Sequence, residues 1–143
     1  MKVELFVPCF VDQLYPETAF NTLRLLEKSG CKVEYNSKQT CCGQPAYNAG
    51  YWDEAKEVGT KFLNDFTENT YVVAPSASCV GMVKGGYNDL FTNTIVHNKC
   101  RSLQSNIWEL SDFLINVAKK DYFGAELEGK AVYHDSCSAL REC

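Results

Sequence analysis

Short β-rich segments alternate with helical segments through the first half of this 143-residue chain. Residues 3–7, 31–35 and 71–74 are predicted strands, because each is a short apolar run or alternates apolar and polar side chains. Strand–helix alternation favours a parallel sheet with right-handed crossovers, since parallel neighbours need a connection long enough to hold a helix. The sequence therefore predicts an α/β domain.

The predicted helices lie between and after these strands. Pro16 fits the first turn of one helix, and Gly30 fits the residue after its last turn. Apolar residues at helical spacing predict a helix over residues 52–66, another that begins near Cys79, and one helix or two helices in line over residues 96–117. We therefore expect a three-layer, Rossmann-like domain with a parallel sheet of about four strands flanked by helices.

Cysteines follow the carboxyl ends of all three predicted strands. Cys9 follows the first strand, the adjacent pair Cys41 and Cys42 follows the second, and Cys79 follows the third. Open parallel sheets bind ligands at this edge, so three sequence-distant segments converge there. Adjacent cysteines are poor disulfide partners because a bond between them strains the backbone, but they can supply two thiolates to one ion or cluster. We interpret these four cysteines as ligands of a metal ion or an iron–sulfur cluster.

Other cysteines have simpler explanations. Cys31 at a strand start and Cys100 on the apolar face of a helix are expected in the core, since free cysteine often behaves as a small hydrophobic residue. Eight cysteines could also form a disulfide scaffold, but secreted scaffolds are usually shorter. The N-terminus has no basic region followed by an apolar stretch, so we expect no signal peptide and a reducing, cytoplasmic location.

Composition argues against two classes of partner. An apolar fraction of 45% suits one compact domain, and no apolar run reaches the ~18 residues that a membrane span needs. The net charge is −4 and lysine and arginine do not cluster, so nucleic acid is not an expected partner.

Three segments resemble the cysteine-rich CCG domain. They are residues 3–9 (Val-Glu-Leu-Phe-Val-Pro-Cys), residues 40–46 (Thr-Cys-Cys-Gly-Gln-Pro-Ala) and residues 75–79 (Pro-Ser-Ala-Ser-Cys). The resemblance is closest to the lactate-utilisation protein A group, and similar domains occur in iron–sulfur subunits of glycolate oxidase and in heterodisulfide reductase. It covers the whole chain.

The resemblance implies a cofactor and an electron-transfer role. Cys9, Cys41, Cys42 and Cys79 would bind an iron–sulfur cluster, with a 4Fe–4S cluster expected and Zn²⁺ as the alternative. The chain would be a subunit of a cytoplasmic oxidoreductase complex that oxidises a 2-hydroxy acid, L-lactate or glycolate, and would not be catalytic alone. Ferredoxin-like or flavin-carrying subunits would be its partners. The alternatives are a thiol or heterodisulfide reductase component and a non-redox zinc module for assembly.

The chain departs from the family pattern in two places. Met82 stands where the family's Cys-x-x-Cys motif has its last cysteine, which leaves four cysteines for a site that otherwise has five. Residues 131–137 resemble residues 3–9 and would open a second repeat that the chain does not complete. We therefore expect a first cysteine-rich domain over residues 1–128 and the opening strand of a truncated second repeat over residues 129–143.

Overall fold

A single parallel sheet organises the chain in a computed structural model that describes residues 1–92 and 95–134. Within these residues the sheet has four strands in the order β2-β1-β3-β4. All three pairs of neighbouring strands are parallel. The strands are β1 (Lys2–Leu5), β2 (Lys32–Tyr35), β3 (Tyr71–Ala74) and β4 (Ile107–Glu109). The predicted parallel α/β sheet of about four strands is confirmed.

Helices cover both faces of the sheet. In the described residues they are α1 (Cys9–Leu14), α2 (Pro16–Lys28), α3 (Gln44–Asn48), α4 (Trp52–Asp65), α5 (Ala77–Gly81), α6 (Tyr87–Phe91), α7 (His97–Asn106) and α8 (Leu110–Asp112). Two π-helical turns, Met82–Gly86 and Phe113–Val117, continue α5 and α8. No helix in this part of the chain has the length and apolarity to cross a membrane.

Side chains of the strands alternate between two apolar layers. Val3 and Leu5 of β1 pack with Leu26 of α2 and Phe113 on one face. Val72 and Ala74 of β3 join the cluster on the other face, which contains α4 and the helices after β3. This period of two follows from the pleat of a strand, and burial on both faces is typical of parallel sheets.

Aromatic rings form the centre of the larger layer. Phe6 meets Phe62 of α4 edge-to-face, with ring centroids 4.8 Å apart. Phe62 meets Tyr87 of α6 at 6.1 Å, and Tyr87 meets Phe91 at 5.0 Å. All four rings are buried, so this aromatic row joins the end of β1 to α4 and α6.

The first two predicted helices have the expected ends. Pro16 is the first residue of α2, where its missing N–H costs no helical hydrogen bond. Gly30 follows the helix with φ +81°, the left-handed conformation that commonly ends helices. The predicted helix over residues 52–66 corresponds to α4, which ends at Asp65.

The helical prediction over residues 96–117 is wrong at its centre. The helix α7 ends at Asn106, and residues Ile107–Glu109 form the strand β4, which pairs with β3. Ile107 fits the helical spacing of its neighbours, and a three-residue strand is too short to break that pattern. Pairing with the free edge of β3 decides the conformation.

Two further expectations concern the chain near Cys79 and near its end. The helix predicted to begin near Cys79 is α5, which begins at Ala77, so Cys79 is its third residue. Of the predicted opening strand over residues 129–143, residues 129–134 have no helix or strand assignment, and residues 135–143 lie outside the described residues. The domain boundary at residue 128 therefore stays a prediction.

Candidate metal centre

Three loops at one edge of the sheet carry the four cysteines. Cys9 begins α1 just after β1, Cys41 and Cys42 lie between β2 and α3, and Cys79 lies in α5 just after β3. Because β1, β2 and β3 are parallel neighbours, their carboxyl ends lie side by side. Cys9 is exposed, Cys41 is partly buried, and Cys42 and Cys79 are buried, with 1% and 5% of their surface exposed.

The sulfur atoms of the four cysteines form a chain of contacts. Sγ of Cys9 lies 3.5 Å from Sγ of Cys41. The Cys42 thiol lies within hydrogen-bonding reach of the Cys41 and Cys79 sulfurs and can donate its proton to either one. The structure thus brings together all four cysteines that the sequence singles out. Their role as ligands stays a prediction.

Hydrogen bonding divides the four cysteines into donors and acceptors. The hydrogen bond from Cys42 is the main reason that the pKa of Cys41 falls to about 5, and it also lowers the pKa of Cys79. Donation to Cys41 and Cys79 and then burial raise the pKa of Cys42. Burial of its sulfur, followed by donation to Cys41, raises the pKa of Cys9. The buried Cys42 thiol therefore favours the deprotonated forms of both Cys41 and Cys79.

Two serine hydroxyls from the loop after β3 contact the Cys79 sulfur. The hydroxyls of Ser76 and Ser78 hydrogen-bond to it and contribute to its lowered pKa. These hydroxyls also lie 3.2 Å from each other. Ser76 is the N-cap residue of α5, but its side chain makes no capping hydrogen bond. Gln44 donates to the Ser78 carbonyl at 3.1 Å and joins this loop to the one that carries Cys42.

A glycine and a buried tyrosine fix the path of the Cys41–Cys42 loop. Gly43 has φ +85°, and a Cβ atom there would lie 3.1 Å from the carbonyl oxygen of Ala55 in α4. The same residue donates its N–H to Sγ of Cys41 at 3.4 Å. Tyr87, fully buried in the aromatic row, donates its hydroxyl to the Cys42 carbonyl at 2.9 Å. The protein core therefore reaches directly to the backbone of the site.

The segment before Cys41 is attached to both the sheet and α4. Gln39 accepts a hydrogen bond from Val7 N–H at 2.7 Å and donates to the Leu5 carbonyl at 3.2 Å. Lys61 of α4 donates to the Lys38 carbonyl at 2.7 Å. These contacts hold the second loop against the first, where Cys9 lies.

The four thiols are a donor set that suits a thiophilic metal. Zinc and iron–sulfur clusters both bind four cysteine thiolates. Within residues 1–92 and 95–134, no group of three or more His, Cys, Asp or Glu side chains already has the arrangement of a metal site. A metal or cluster bound by all four cysteines would have to draw their sulfurs closer around one centre.

Met82 and the remaining described cysteines take no part in these sulfur contacts. Met82 is buried and lines a neighbouring cleft of about 490 Å³ together with Gln44 and Asp89. Cys31 packs in the apolar layer that contains α2, and Cys100 in the opposite layer, as expected for core residues. Burial raises the pKa of Cys100 to about 11, which keeps it a neutral thiol.

The segment that carries the cysteine loops matches a known family. A model of the "CCG" cysteine-rich domain matches residues 3–84, which contain the loops of all four cysteines.

The chain belongs to the CCG cysteine-rich domain family.

Curated relatives match nearly the whole chain but are themselves longer. The chain is 43% identical over 141 residues to lactate utilization protein A of Geobacillus kaustophilus, which covers 99% of this chain and 59% of the relative. It is 42% identical over 141 residues to the protein of that name from Halalkalibacterium halodurans, covering 99% and 58%, respectively. It thus spans less than two thirds of these relatives. No solved structure matches the chain.

Sequence reasoning missed the residues that position the cysteines. Gln39, Gln44 and Tyr87 make their contacts through side chains whose partners lie in other segments. No local spacing signals such contacts. In the sequence, Ser76 and Ser78 stand out only as part of the segment that resembles the family, and not as hydrogen-bond donors to Cys79. The one sequence signal that could have found such residues is a polar side chain close in sequence to a candidate ligand.

Proposed function

We propose that Cys9, Cys41, Cys42 and Cys79 hold an iron–sulfur cluster, of the 4Fe–4S type, and that the domain passes electrons in the oxidation of a 2-hydroxy acid. The observation that supports this most is the chain of contacts among four sulfurs from three loops at the carboxyl edge of the sheet. A redox centre at this edge is accessible to a partner because Cys9 is exposed.

The chain supplies ligands and hydrogen bonds around this centre. A bound cluster would accept and release single electrons. Cys41, whose pKa falls to about 5, needs no further deprotonation at neutral pH, and the lowered pKa of Cys79 eases the loss of its proton. Cys42 and Cys9 must lose their protons on binding, which makes loading weaker as the pH falls. Hydrogen bonds to cysteine sulfur, such as that from Gly43 N–H, raise the potential of such centres.

The substrate class is proposed from the relatives. The relatives at 43% and 42% identity are named lactate utilization protein A, and the family match covers all four cysteines. We infer that this chain serves lactate oxidation, with flavin-carrying or ferredoxin-like subunits as electron donor and acceptor. The described residues would act as the electron-transfer part of that assembly.

A structural zinc site is the second candidate, and one distance favours it. A tetrahedral zinc with bonds of about 2.3 Å places its sulfurs roughly 3.8 Å apart. The separation of 3.5 Å between the sulfurs of Cys9 and Cys41 is close to that value. In a 4Fe–4S cluster each cysteine binds a different iron, so its sulfurs would have to lie farther apart.

Metal analysis of single-cysteine variants tests the proposal. Protein would be reconstituted anaerobically with iron and sulfide, and separately with Zn²⁺, followed by metal and sulfide analysis. Each of Cys9→Ala, Cys41→Ala, Cys42→Ala and Cys79→Ala should lose most of the bound iron, because three sulfurs remain. Alanine is preferred to serine because a serine oxygen can still bind metal.

Cys31→Ala and Cys100→Ala are the matched controls. Both are buried core cysteines, so they should keep the iron content of the wild type. Loss of iron in these controls but not in the four site variants would contradict the ligand assignment. If the wild-type protein takes up no iron but binds one Zn²⁺ tightly, the structural zinc site is supported and the electron-transfer role is refuted.

A further inference from the structure

The backbone ladder between β1 and β2 stops before the cysteine loops begin. The last paired residues are Leu5 and Tyr35. The chain then turns at Asn36, whose carbonyl accepts from Gln39 N–H at 3.1 Å and whose side chain accepts from Lys38 N–H at 2.9 Å. The turn carries the β2 backbone away from the sheet. The next polar groups on that side of β1 therefore need another partner.

The side chain of Gln39 supplies that partner. Its oxygen accepts from Val7 N–H at 2.7 Å, and its nitrogen donates to the Leu5 carbonyl at 3.2 Å and to the Asn36 carbonyl at 3.0 Å. In a parallel ladder one residue donates to a carbonyl and accepts from the N–H two residues later on the facing strand. The Gln39 amide makes the same pair of bonds to Leu5 and Val7.

We propose that Gln39 is a positioning residue of the cysteine site. Its side chain extends the β1–β2 ladder by one rung and so fixes the separation between Cys9 and Cys41. Only Pro8 stands between Val7 and Cys9, and its ring restricts the backbone. Only Thr40 stands between Gln39 and Cys41. The relevance to metal binding rests on the proposed function, while the positioning itself belongs to the metal-free chain.

Disulfide formation between Cys9 and Cys41 reports their proximity without any metal. In a glutathione buffer the two thiols reduce one oxidised glutathione to two reduced glutathiones and form one S–S bond, and their protons pass to the released thiols. The equilibrium constant gives the effective concentration of one thiol at the other. It would be measured on the full 143-residue chain, with the Cys9–Cys41 bond identified by peptide mass spectrometry.

Gln39→Met keeps the length of the side chain and removes its hydrogen bonds. Gln39→Glu keeps the acceptor for Val7 but places a carboxylate oxygen against the Leu5 carbonyl. Both should lower the Cys9–Cys41 equilibrium constant by at least about tenfold, since a single lost hydrogen bond is worth about that much. The control is Gln104→Met, because Gln104 donates to the carbonyls of Val83 and Lys84 without touching either cysteine loop. It should keep the wild-type constant.

The outcomes separate this inference from the proposed function. Folded Gln39 variants with the wild-type constant would overturn the positioning role, whatever metal the protein binds. If Gln39→Met does not fold, as judged by circular dichroism, Gln39→Asn replaces it, since the same amide is then one methylene too short. A tenfold fall in a protein that binds neither iron nor zinc would support the positioning role and refute the proposed function.

Discussion

The cysteines of the site lie close together, but their pKa values are shifted in opposite directions. Cys9 is the most exposed of the four, yet its pKa is raised, whereas partly buried Cys41 has a pKa near 5. The difference arises because the Cys41 sulfur receives hydrogen bonds from Cys42, from Gly43 N–H and from Cys9. Exposure alone therefore does not indicate which thiol reacts first.

Alkylation of the metal-free protein should show this inversion. The rate for Cys41 should stay flat from pH 8 to about 6 and fall as the pH drops through about 5, because only the thiolate reacts. The rate for Cys9 should still be rising above pH 9.0, its ordinary pKa. The measurement is iodoacetamide labelling followed by peptide mass spectrometry. In Cys42→Ala the Cys41 midpoint should move up toward 9.0, and an unchanged midpoint would contradict the hydrogen-bond origin of the shift.

Both its backbone conformation and its contact with α4 favour glycine at position 43. A substitution at Gly50 measures the first effect without the second. Gly43→Ala should cost about 1–2 kcal/mol for its left-handed φ. It should cost about 1 kcal/mol more for the contact with the Ala55 carbonyl. Gly50→Ala has nearly the same φ, +84°, and nothing within 4 Å, so it should show only the first cost. Urea unfolding measures the free energy of unfolding of both variants. Equal losses would show that α4 shifts to accommodate the added methyl group without cost.

Helix α4 and helix α6 approach each other at a glycine as well. A Cβ atom on Gly59 would lie 2.9 Å from Cζ of Phe91 and 3.3 Å from Cζ of Tyr87. Gly59→Ala should therefore destabilise the protein by about 1–3 kcal/mol through overpacking. Gly85→Ala, which meets nothing within 4 Å, should be stabilising by up to about 1 kcal/mol. Thermal unfolding of the two variants checks the sign, and similar effects would mean that the aromatic row repacks without cost.

Elements defined by local pattern could be predicted, and the fourth strand could not. Pro16 and Gly30 mark helix ends through their own backbone preferences, so α2 can be predicted from the sequence. The strand β4 depends on a free edge of β3, which no local spacing reveals, and Ile107 also satisfies a helical pattern. Tertiary pairing decides between two locally acceptable conformations.

The same division applies to the candidate site. Cys9 and Cys79 are brought together by topology alone, because parallel strands end at one edge. The bonds of Gln39 and Tyr87 depend on where loops return to the sheet and on which core ring reaches them. These contacts join side chains 32 and 45 residues away in sequence from their partners. The location of the site is therefore predictable from sequence, and its supporting contacts are not.

Joining three loops at one edge links the site to the stability of the whole molecule. The three cysteine loops follow the neighbouring strands β1, β2 and β3. The four sulfurs therefore come together only when the sheet has formed. A metal that binds only the folded state adds about 2.7 kcal/mol to the free energy of unfolding at one hundred times its dissociation constant. Binding and folding are therefore expected to be coupled.

Addition of Zn²⁺ to the reduced, metal-free protein should accordingly raise the free energy of unfolding by about 2.7 kcal/mol when the free metal is a hundredfold above its dissociation constant. Urea unfolding at several zinc concentrations gives the increment, which should grow with the logarithm of free zinc. Cys79→Ala should show almost none, because it leaves three sulfurs, whereas Cys100→Ala should keep it, because that thiol lies in the core away from the site. An equal increment in Cys79→Ala would place the metal elsewhere on the chain. The site would then owe its sulfur contacts to packing rather than to metal binding.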